Sequence, residues 1–515
     1  MNLKKGIVYF VGAGPGDRGL ITVKGAKVLA QADVVLYDHL INLVLLNSCG
    51  AHAEKICVGK RGGEPSMTQE EINGILVEKA RAGNIVVRLK GGDPFLFGRG
   101  AEEAQFLSRA GIPFQVIPGV PSAIAVPAYA GIPVTDRRYA SSVAMITGHE
   151  ALTKERSAIA WQEIAHAADT LVFLMGMRTL SFIVQQLIVY GREPDTPAAV
   201  IQRGTTGTQK VVEGTLESIC QLVQLYALQP PGLLIIGDVV RLRHDLKWYE
   251  HMPLFGKRFI ITRELQERDT LAEFLENSGA EVIPIPTIAI TRPDSYQDAD
   301  DAIAQLEQFS WVVFTSSNGV RYFMERLINA GKDIRSLSGR LIAAIGSGTS
   351  RALNSYYLQA DLVPDEFSAE GIVQTFARRN ISGVKILIPR AQKARDVLES
   401  GLIELNNDVR AVPVYKTIAP QELQHPETFK SIYPGDCIVF ASSSTVHNFF
   451  DFAPLAVLSE LRHMVLACIG PVTETALRKH GYSAHIIPES YDFDSLAQAI
   501  IRYYVAQRQA TNHNS

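Results

Sequence analysis

Three glycine-rich segments near the start of the chain constrain its fold more than any other feature. They are VGAGPGD at 11–17, GGDPFLFGRG at 91–100 and PGVPSA at 118–123, and each follows an apolar run that suits a β-strand. Glycine permits sharp turns and a close approach of the backbone to a ligand because it has no Cβ. Ligands of open α/β sheets bind at the loops that follow parallel strands. The pattern therefore predicts an α/β fold in which the three loops share one pocket for a flat, polar small molecule.

The first glycine segment does not match the dinucleotide-binding fingerprint. That fingerprint is G-x-G-x-x-G, but after two correctly spaced glycines the next one is Gly16, and Asp17 stands where the third glycine belongs. Pro15 also removes a backbone N–H that a pyrophosphate would use. Asp38, which follows a second apolar run, could still imitate the acid that binds a ribose. A dinucleotide site is the less favoured of the two interpretations.

Length and composition indicate a globular protein of several units. The 515 residues exceed what one hydrophobic core normally serves, and the net charge of −3 argues against nucleic acid as a partner. No apolar run approaches the ~20 residues that a membrane span needs. The chain enters its first predicted strand soon after Met1, so we expect no signal peptide. Five scattered cysteines without a C-x-x-C pair predict no metal and a reducing, cytoplasmic location.

Apolar strand-like runs alternate with amphipathic helical stretches along the whole chain, which predicts an α/β fold. The first unit ends near an apolar strand at 233–240, and the charged segment that follows contains Pro253. Inside the first unit, we expect residues 132–139 to form a hinge between two lobes. The predicted divisions are a first domain at 1–248, a linker at 249–256 and a second domain at 257–510.

The second domain contains an internal repeat with an offset of about 125 residues. Such a repeat duplicates an α/β half and predicts two similar lobes with a cleft between them. We expect one lobe from 257–290 plus 418–510 and the other from 291–417. The repeated segments are KRFIITR at 257–263 and VKILIPR at 384–390, VVFTSSN at 312–318 and IVFASSS at 438–444, and IGSGT at 345–349 and IGPVT at 469–473.

Five further segments accompany the glycine segments of the first domain. They are VVLYD at 34–38, VGKR at 58–61, VRLKGGDP at 87–94, SVAMITGH at 142–149 and LVFLMG at 171–176. In this order they resemble the tetrapyrrole methylase superfamily and, within it, uroporphyrinogen-III C-methyltransferase, over about residues 6–248. The resemblance implies a two-lobed methylase that uses S-adenosyl-L-methionine and releases S-adenosyl-L-homocysteine.

The resemblance also implies roles for particular residues. Asp38 and Lys60 correspond to the family's proton acceptor and donor, and a proton must leave the macrocycle after a pyrrole carbon takes the methyl group. On residue type alone, Asp38 could instead cap a turn, and Lys60 could lie in a solvated turn. Leu96 and Pro121 depart from the family's isoleucine and threonine, so Pro121 offers no hydroxyl. The implied cofactor contacts are Pro15, Gly91, Gly92, Asp93, Leu96, Pro121, Ser122, Met175 and Gly204.

The implied substrate carries eight carboxylates, which calls for a basic cavity. Arg88 and Arg99 are the candidates that we assign to substrate binding in the first domain. Lys90, Arg137 and Arg138 lie in or beside the same loops and are further candidates.

The second domain resembles uroporphyrinogen-III synthase over about residues 257–502, through its ordered T-R, T-S-S-N-G-V, G-x-x-T, P-R and V-x-x-Y motifs. Tyr415 replaces Pro286 of the other repeat copy and corresponds to the family's cleft tyrosine, although an ordinary half-buried aromatic residue is the alternative. Thr473 offers a hydroxyl beside free backbone N–H groups at a helix start. Ala441 stands where threonine is frequent. The other residues implied to line the cleft are Thr262, Arg263, Ser316, Ser317, Asn318, Arg390, Arg395, Ser442 and Ser443.

The pairing of the two resemblances predicts a bifunctional enzyme, because the product of the synthase is the substrate of the methyltransferase. We expect cyclisation of hydroxymethylbilane to uroporphyrinogen III, followed by methylation at C2 and C7 to precorrin-2, in the sirohaem and cobalamin branch. Nothing resembles the NAD-dependent dehydrogenase and ferrochelatase module of some homologous fusions, so we expect the chain to stop at precorrin-2. The likeness implies a homodimer through the methyltransferase domain, and neither nucleic acid nor membrane as a partner.

Two alternatives remain open at the level of sequence. The first domain could methylate another tetrapyrrole, diphthamide or ribosomal RNA. The second domain could bind tetrapyrroles without catalysing a reaction, because motifs such as T-S-S-N and P-R can hold carboxylates in either case.

Overall fold

The computed structural model describes residues 6–50, 52–59, 67–148, 159–265, 269–393 and 396–513. The fold class is α/β, as the sequence predicts. Within these ranges, no helix combines the length and the apolar character that a membrane crossing requires.

The first sheet is parallel throughout and is built from the segments that precede the glycine loops. Its strands are β1 (Ile7–Gly12), β2 (Val34–Tyr37), β3 (Glu54–Cys57), β4 (Ile85–Lys90) and β5 (Phe114–Ile117), accompanied by helices α1 (Val23–Leu29), α2 (Gln69–Arg81), α3 (Gly100–Arg109) and α4 (Ser122–Tyr129). The strand order is β3-β2-β4-β1-β5. All four residues of β2 are buried, as expected for a strand covered on both faces.

The second sheet completes the N-terminal half and is mostly antiparallel. It contains β6 (Val143–Thr147), β7 (Thr170–Leu174), β8 (Pro197–Gln202), β9 (Lys210–Thr215) and β10 (Gly232–Ile236), with helices α5 (Trp161–Ile164), α6 (Leu180–Val189), α7 (Leu216–Leu225) and α8 (Arg243–Leu246). The strand order is β6-β7-β10-β8-β9, and β6 and β7 run parallel. The chain passes between the two sheets through the segment expected to be a hinge, which lies between α4 and β6.

The segment expected to be a linker, 249–256, is ordered and packed against both halves of the chain. The ring of Tyr249 is buried and lies 4.9 Å from the ring of Tyr129 in α4. Leu254 is fully buried in a core cluster with Phe259 and Ile261 of the C-terminal half. The two halves are therefore joined by a continuous apolar contact.

The C-terminal half contains two sheets. Its strands are β11 (Arg258–Ile261), β12 (Glu281–Pro284), β13 (Ala289–Thr291), β14 (Trp311–Phe314), β15 (Leu341–Ala344), β16 (Lys385–Ala391), β17 (Asp408–Ile418), β18 (Cys437–Phe440) and β19 (Val465–Cys468). Its helices are α9 (Thr270–Asn277), α10 (Gln297–Ala304), α11 (Ser317–Asn329), α12 (Ser347–Asn354), α13 (Ala369–Arg378), α14 (Val397–Glu404), α15 (Ser443–Phe452), α16 (Leu455–Glu460), α17 (Pro471–Lys479) and α18 (Phe493–His513).

Each copy of the sequence repeat is divided between these two sheets. One sheet has the order β12-β11-β18-β19 and the other β13-β17-β16-β14-β15. The strands β11, β12, β14 and β15 of the first copy correspond to β16, β17, β18 and β19 of the second. Each sheet takes two of these corresponding strands from each copy, and the second sheet adds β13 of the first copy. Equivalent helices also begin alike, because Ser316 caps α11 and Ser442 caps α15 with nearly equal backbone angles. Ala289 and Ile290 lie in the second of these sheets, slightly before the lobe boundary expected at residue 291.

Candidate active sites

The three glycine segments come together at the carboxyl end of the first sheet. Gly14 and Gly92 exchange two backbone hydrogen bonds, with N–O distances of 3.3 and 2.8 Å. A Cβ on Gly12 would overlap the Cα atom of Gly119. Side chains at Gly12 or Gly119 would force these loops apart, which explains why the first and third segments need glycine where they touch. Gly92 has room for a Cβ but adopts a positive φ of 67°, which favours glycine.

Asp93 ties the second glycine segment to the third. Its Oδ1 accepts hydrogen bonds from the backbone nitrogens of Phe95 and Leu96 at 2.8 and 3.1 Å, and its Oδ2 accepts one from Gly119 at 3.0 Å. Both carboxylate oxygens are thus engaged with backbone N–H groups. Asp93 shapes the loop through these bonds.

A large cavity opens in front of the glycine loops. Its volume is about 1410 Å³, and Pro15, Ser122, Met175 and Gly204 of the predicted cofactor contacts lie on its wall. Met175 has a left-handed backbone (φ 56°), which is strained for a residue with a side chain. The other predicted contacts are not among the residues that line the cavity and belong to the second and third glycine segments: Gly91, Gly92, Asp93, Leu96 and Pro121.

The carboxylate of Asp38 is held by a buried network at the end of β2. Arg88 Nη2 donates to Asp38 Oδ1 at 2.8 Å, and Arg88 Nε donates to Glu103 Oε2 at 3.2 Å. Lys90 Nζ donates to Glu103 Oε1 at 2.7 Å. The side chains of Arg88, Lys90 and Glu103 are at most 5% exposed, whereas that of Asp38 is 29% exposed. The network therefore presents only the Asp38 carboxylate to solvent.

The network joins two cations to two carboxylates, and this pairing is what permits its burial. Burial is the main cause that lowers the pKa of the Lys90 ammonium below its ordinary value. The neighbouring Arg88 lowers it further, and Glu103 and Asp38 raise it in part. Arg88, expected to meet substrate carboxylates, has its guanidinium occupied by Asp38 and Glu103.

In the C-terminal half, Tyr415 lies at the end of β17 and is buried. Its hydroxyl shares a hydrogen bond of 3.0 Å with Ser316, the residue that caps α11. The ring stacks on Tyr322 of the same helix at 5.8 Å between centroids. Burial raises the pKa of the Tyr415 hydroxyl above its ordinary value, and the hydrogen bond to Ser316 lowers it in smaller part. The hydroxyl therefore stays protonated at neutral pH.

Models of two protein families match the chain, one in the N-terminal half and one in the C-terminal half. The model described as "Tetrapyrrole (Corrin/Porphyrin) Methylases" matches residues 7–220, and the model "Uroporphyrinogen-III synthase HemD" matches residues 269–498. A "Porphyrin biosynthesis protein HemD" from Ruminiclostridium josui is 36% identical over 503 residues, which cover 97% of this chain and 98% of that protein. The chain belongs to the family that fuses a tetrapyrrole methylase to a uroporphyrinogen-III synthase.

Two further proteins match the methylase half. An "S-adenosyl-L-methionine-dependent uroporphyrinogen III methyltransferase" from Methanosarcina barkeri is 51% identical over 241 residues, which cover 47% of this chain and 94% of that protein. A solved uroporphyrin-III C-methyltransferase from Thermus thermophilus, complexed with S-adenosyl homocysteine, is 39% identical. The match covers 46% of this chain and 100% of the solved chain, with a TM-score of 0.40.

The cavity wall of the methylase half fits S-adenosylmethionine. Ser122 offers a hydroxyl at the first turn of α4, where free backbone N–H groups suit the carboxylate of an amino acid. Met175 contributes an apolar surface beside it, and the glycine loops leave their backbone atoms accessible. These are the donor and apolar groups that a nucleoside joined to an amino acid requires.

Many residues predicted to line the synthase cleft are already engaged within the domain. The Thr262 hydroxyl donates to the backbone oxygen of Val439 at 2.8 Å, and Arg263 pairs with Asp269. Arg390 pairs with Asp396 and Glu399. The Ser317 and Ser443 hydroxyls likewise donate to backbone oxygens. The predicted residues that lie at the N-cap or in the first turn of a helix after a strand are Ser316, Ser317, Asn318, Ser442, Ser443 and Thr473.

Three predicted site residues need separate mention. Arg99 is exposed and pairs with Glu102 through two hydrogen bonds of 3.1 and 2.7 Å. Lys60 and Arg395 lie outside the described residues, so their predicted roles stay predictions.

Sequence reasoning missed Glu103 and the contact between Arg18 and Glu276. Glu103 falls on the buried stripe of α3, with Gly100, Ala104 and Leu107. A carboxylate on an otherwise apolar stripe signals a buried cationic partner, and this pattern was available in the sequence. The pairing of Arg18 with Glu276 joins residues 258 positions apart and left no local signal.

Proposed function

We propose that the synthase domain closes hydroxymethylbilane to uroporphyrinogen III and that the methylase domain methylates this product at C2 and C7 to precorrin-2. The observation that supports the proposal most is a 36% identical relative that matches this chain across both domains. Each domain also matches the model of its own family. Cytoplasmic location and a homodimer through the methylase domain are part of this proposal and rest on the family resemblance.

In the methylase, Asp38 is the residue proposed to take the proton that leaves the macrocycle. S-adenosylmethionine supplies an electrophilic methyl group on a positively charged sulfur. Asp38 Oδ1 is fixed by Arg88, and the partly exposed carboxylate lies at the carboxyl end of the sheet that carries the glycine loops. A positioned base of this kind typically contributes ~10²–10⁴-fold to the rate. Arg88 acts through Asp38 and is a positioning residue.

In the synthase, Tyr415 is the residue proposed to protonate the departing hydroxyl group of hydroxymethylbilane. Its buried hydroxyl stays protonated, and Ser316 orients it. The helix N-termini that carry Ser442 and Thr473 offer backbone N–H groups for propionate and acetate side chains. Holding both ends of a linear tetrapyrrole close together supplies most of the effect of such a site.

The test is a product assay with the purified full-length chain. Hydroxymethylbilane alone should give uroporphyrinogen III, and addition of S-adenosylmethionine should carry it to precorrin-2. If hydroxymethylbilane gave only uroporphyrinogen I, the isomer that forms spontaneously, the synthase assignment would be refuted. Absence of methylated product from supplied uroporphyrinogen III would refute the methylase assignment, so the two halves of the proposal fail separately.

A further inference from the structure

Elements of the synthase domain pack directly against two loops of the methylase cavity. Arg18, at the end of the first glycine segment, donates from Nε to Glu276 Oε2 of α9 at 2.6 Å. Gly207 lies on the backbone of Glu281 at the start of β12, and a Cβ on Gly207 would overlap the nitrogen of Glu281. The backbone nitrogen of Gly256 also donates to the oxygen of Gly207 at 2.9 Å. We call α9 and β12 together the buttress.

The two methylase loops that rest on the buttress are tied to each other. The backbone nitrogen of Asp17 donates to Thr205 Oγ1 at 3.1 Å, and a Cβ on Gly16 would lie 2.7 Å from that same oxygen. Asp17 Oδ2 accepts a hydrogen bond from Tyr129 at 2.7 Å. A displacement of either loop therefore moves the other. Pro15 and Gly204, adjacent to these contacts, line the cavity.

The contact is partly buried, and the synthase side contributes carboxylates to it. The side chains of Arg18 and Glu276 are 13% and 20% exposed, and a second ion pair joins Arg203 to Glu281 at 3.1 Å. Glu273, Glu276 and Glu281 all lie on the cavity wall. Arg18 and Arg203, the partners of Glu276 and Glu281, lie on the same wall, so the two ion pairs place the buttress at the edge of the cavity.

We propose that the synthase domain holds the cofactor loops of the methylase in place, so that cofactor affinity depends on the contact with the buttress. Arg18, Gly207 and Glu276 are its positioning residues. The inference rests on the proposed function of the cavity as the cofactor site. It makes the two domains one binding unit, although their reactions are separate.

Gly207→Ala in the full-length chain tests this directly, with S-adenosylhomocysteine binding measured by calorimetry. The added methyl group pushes Gly207 away from Glu281, so the dissociation constant should rise at least about fivefold, at the low end of typical coupling between sites. Uroporphyrinogen III formation should change less than twofold. Gly74→Ala is the matched control, because a Cβ there meets nothing within 4 Å.

A charge exchange supplies a second measurement that does not depend on the glycine variant. Arg18→Glu should weaken S-adenosylhomocysteine binding, and Arg18→Glu combined with Glu276→Arg should restore most of it. If Gly207→Ala impairs both activities and unfolds the chain, this rescue decides the matter. Wild-type affinity in both Gly207→Ala and Arg18→Glu, or failure of the rescue, would overturn the inference. Failure of the wild-type chain to bind S-adenosylhomocysteine would instead overturn the proposed function.

Discussion

Arg88 Nη2 lies 2.8 Å from Asp38 Oδ1 and holds this carboxylate at the end of β2. Asp38→Asn keeps the size of the side chain but removes its capacity to accept a proton. We expect S-adenosylhomocysteine to bind almost normally and methyl transfer to slow by ~10²–10⁴-fold. Calorimetry and a methylation assay on the same sample measure both quantities. Full activity of this variant would reduce Asp38 to a structural cap.

Asp93→Ala should have the opposite effect on binding and turnover. The substitution removes three hydrogen bonds from backbone nitrogens that hold the second and third glycine segments together. We expect S-adenosylhomocysteine affinity to fall on the order of 10- to 100-fold. Asp136→Ala is the control, because Asp136 caps its own loop through Arg138. Equal effects of the two variants on affinity would contradict the role assigned to Asp93.

Tyr415→Phe separates the two reactions of the chain. Loss of the hydroxyl should slow uroporphyrinogen III formation on the order of 10²-fold, as expected when a positioned acid is removed. Uroporphyrinogen I should then accumulate from hydroxymethylbilane. Methylation of supplied uroporphyrinogen III should remain at the wild-type rate. Tyr322→Phe is the comparison, because its hydroxyl contacts the backbone of Ile290.

The pH dependence of stability should report the contact between Arg18 and Glu276. Burial raises the pKa of Glu276 to about 7, Arg18 lowers it in part, and Asp17 and Glu273 raise it further. A carboxyl group with a raised folded-state pKa binds more protons in the folded chain. Wild-type stability relative to Glu276→Gln should therefore fall, by on the order of 1–3 kcal/mol, between about pH 4.5 and pH 7 and then level off.

The measurement is the melting temperature of both chains between pH 4.5 and pH 8.5. Glu474→Gln, which removes one partner of the ion pair with Arg478 within α17, is the matched control for the loss of a paired carboxylate. A constant difference between wild type and Glu276→Gln across this range would contradict the buried state of this carboxyl group.

The intermediate should leave the synthase and enter solvent before it is methylated. Among the described residues, the cavity between the domains has no surplus of positive charge to guide a substrate with eight carboxylates, because its arginines are matched by carboxylates. The charged lining residues are Arg18, Arg178, Arg203, Asp17, Glu273, Glu276 and Glu281. We expect unlabelled uroporphyrinogen III to dilute label passing from hydroxymethylbilane to precorrin-2. If a large excess of free uroporphyrinogen III did not dilute the label in precorrin-2, the intermediate would pass directly between the domains, which would contradict this expectation.

Local and periodic signals predicted the α/β class, the convergence of the glycine loops and the duplicated half. The glycine segments reveal loops because only glycine tolerates the close approach of Gly12 to Gly119. The repeat is visible because equivalent strand ends keep similar residues, such as Ser316 and Ser442. These features depend on residues that are near in sequence or related by a constant offset.

Pairings between distant segments could not be predicted. The apolar stripe of α3 indicates that Glu103 has a buried cationic partner, but nothing in the sequence identifies Arg88 as that partner, so Arg88 was assigned to the substrate. The composition of residues 249–256 and Pro253 favoured a linker, whereas in the structure Tyr249 packs against Tyr129 and Leu254 lies in a core of the C-terminal half. Arg263 pairs with Asp269, and no local sequence pattern indicates this pairing.

The division of each repeat copy between two sheets fixes the order in which this chain can mature. Strands β11 and β12 are made before β18 and β19, so their four-stranded sheet is incomplete until Val465–Cys468 has been made. Domains generally fold as units, the N-terminal one first. The methylase can thus fold during translation, whereas the sheet behind α9 is finished only when almost the whole polypeptide is present. A chain truncated before β18 would carry a folded methylase whose neighbouring support had never been completed.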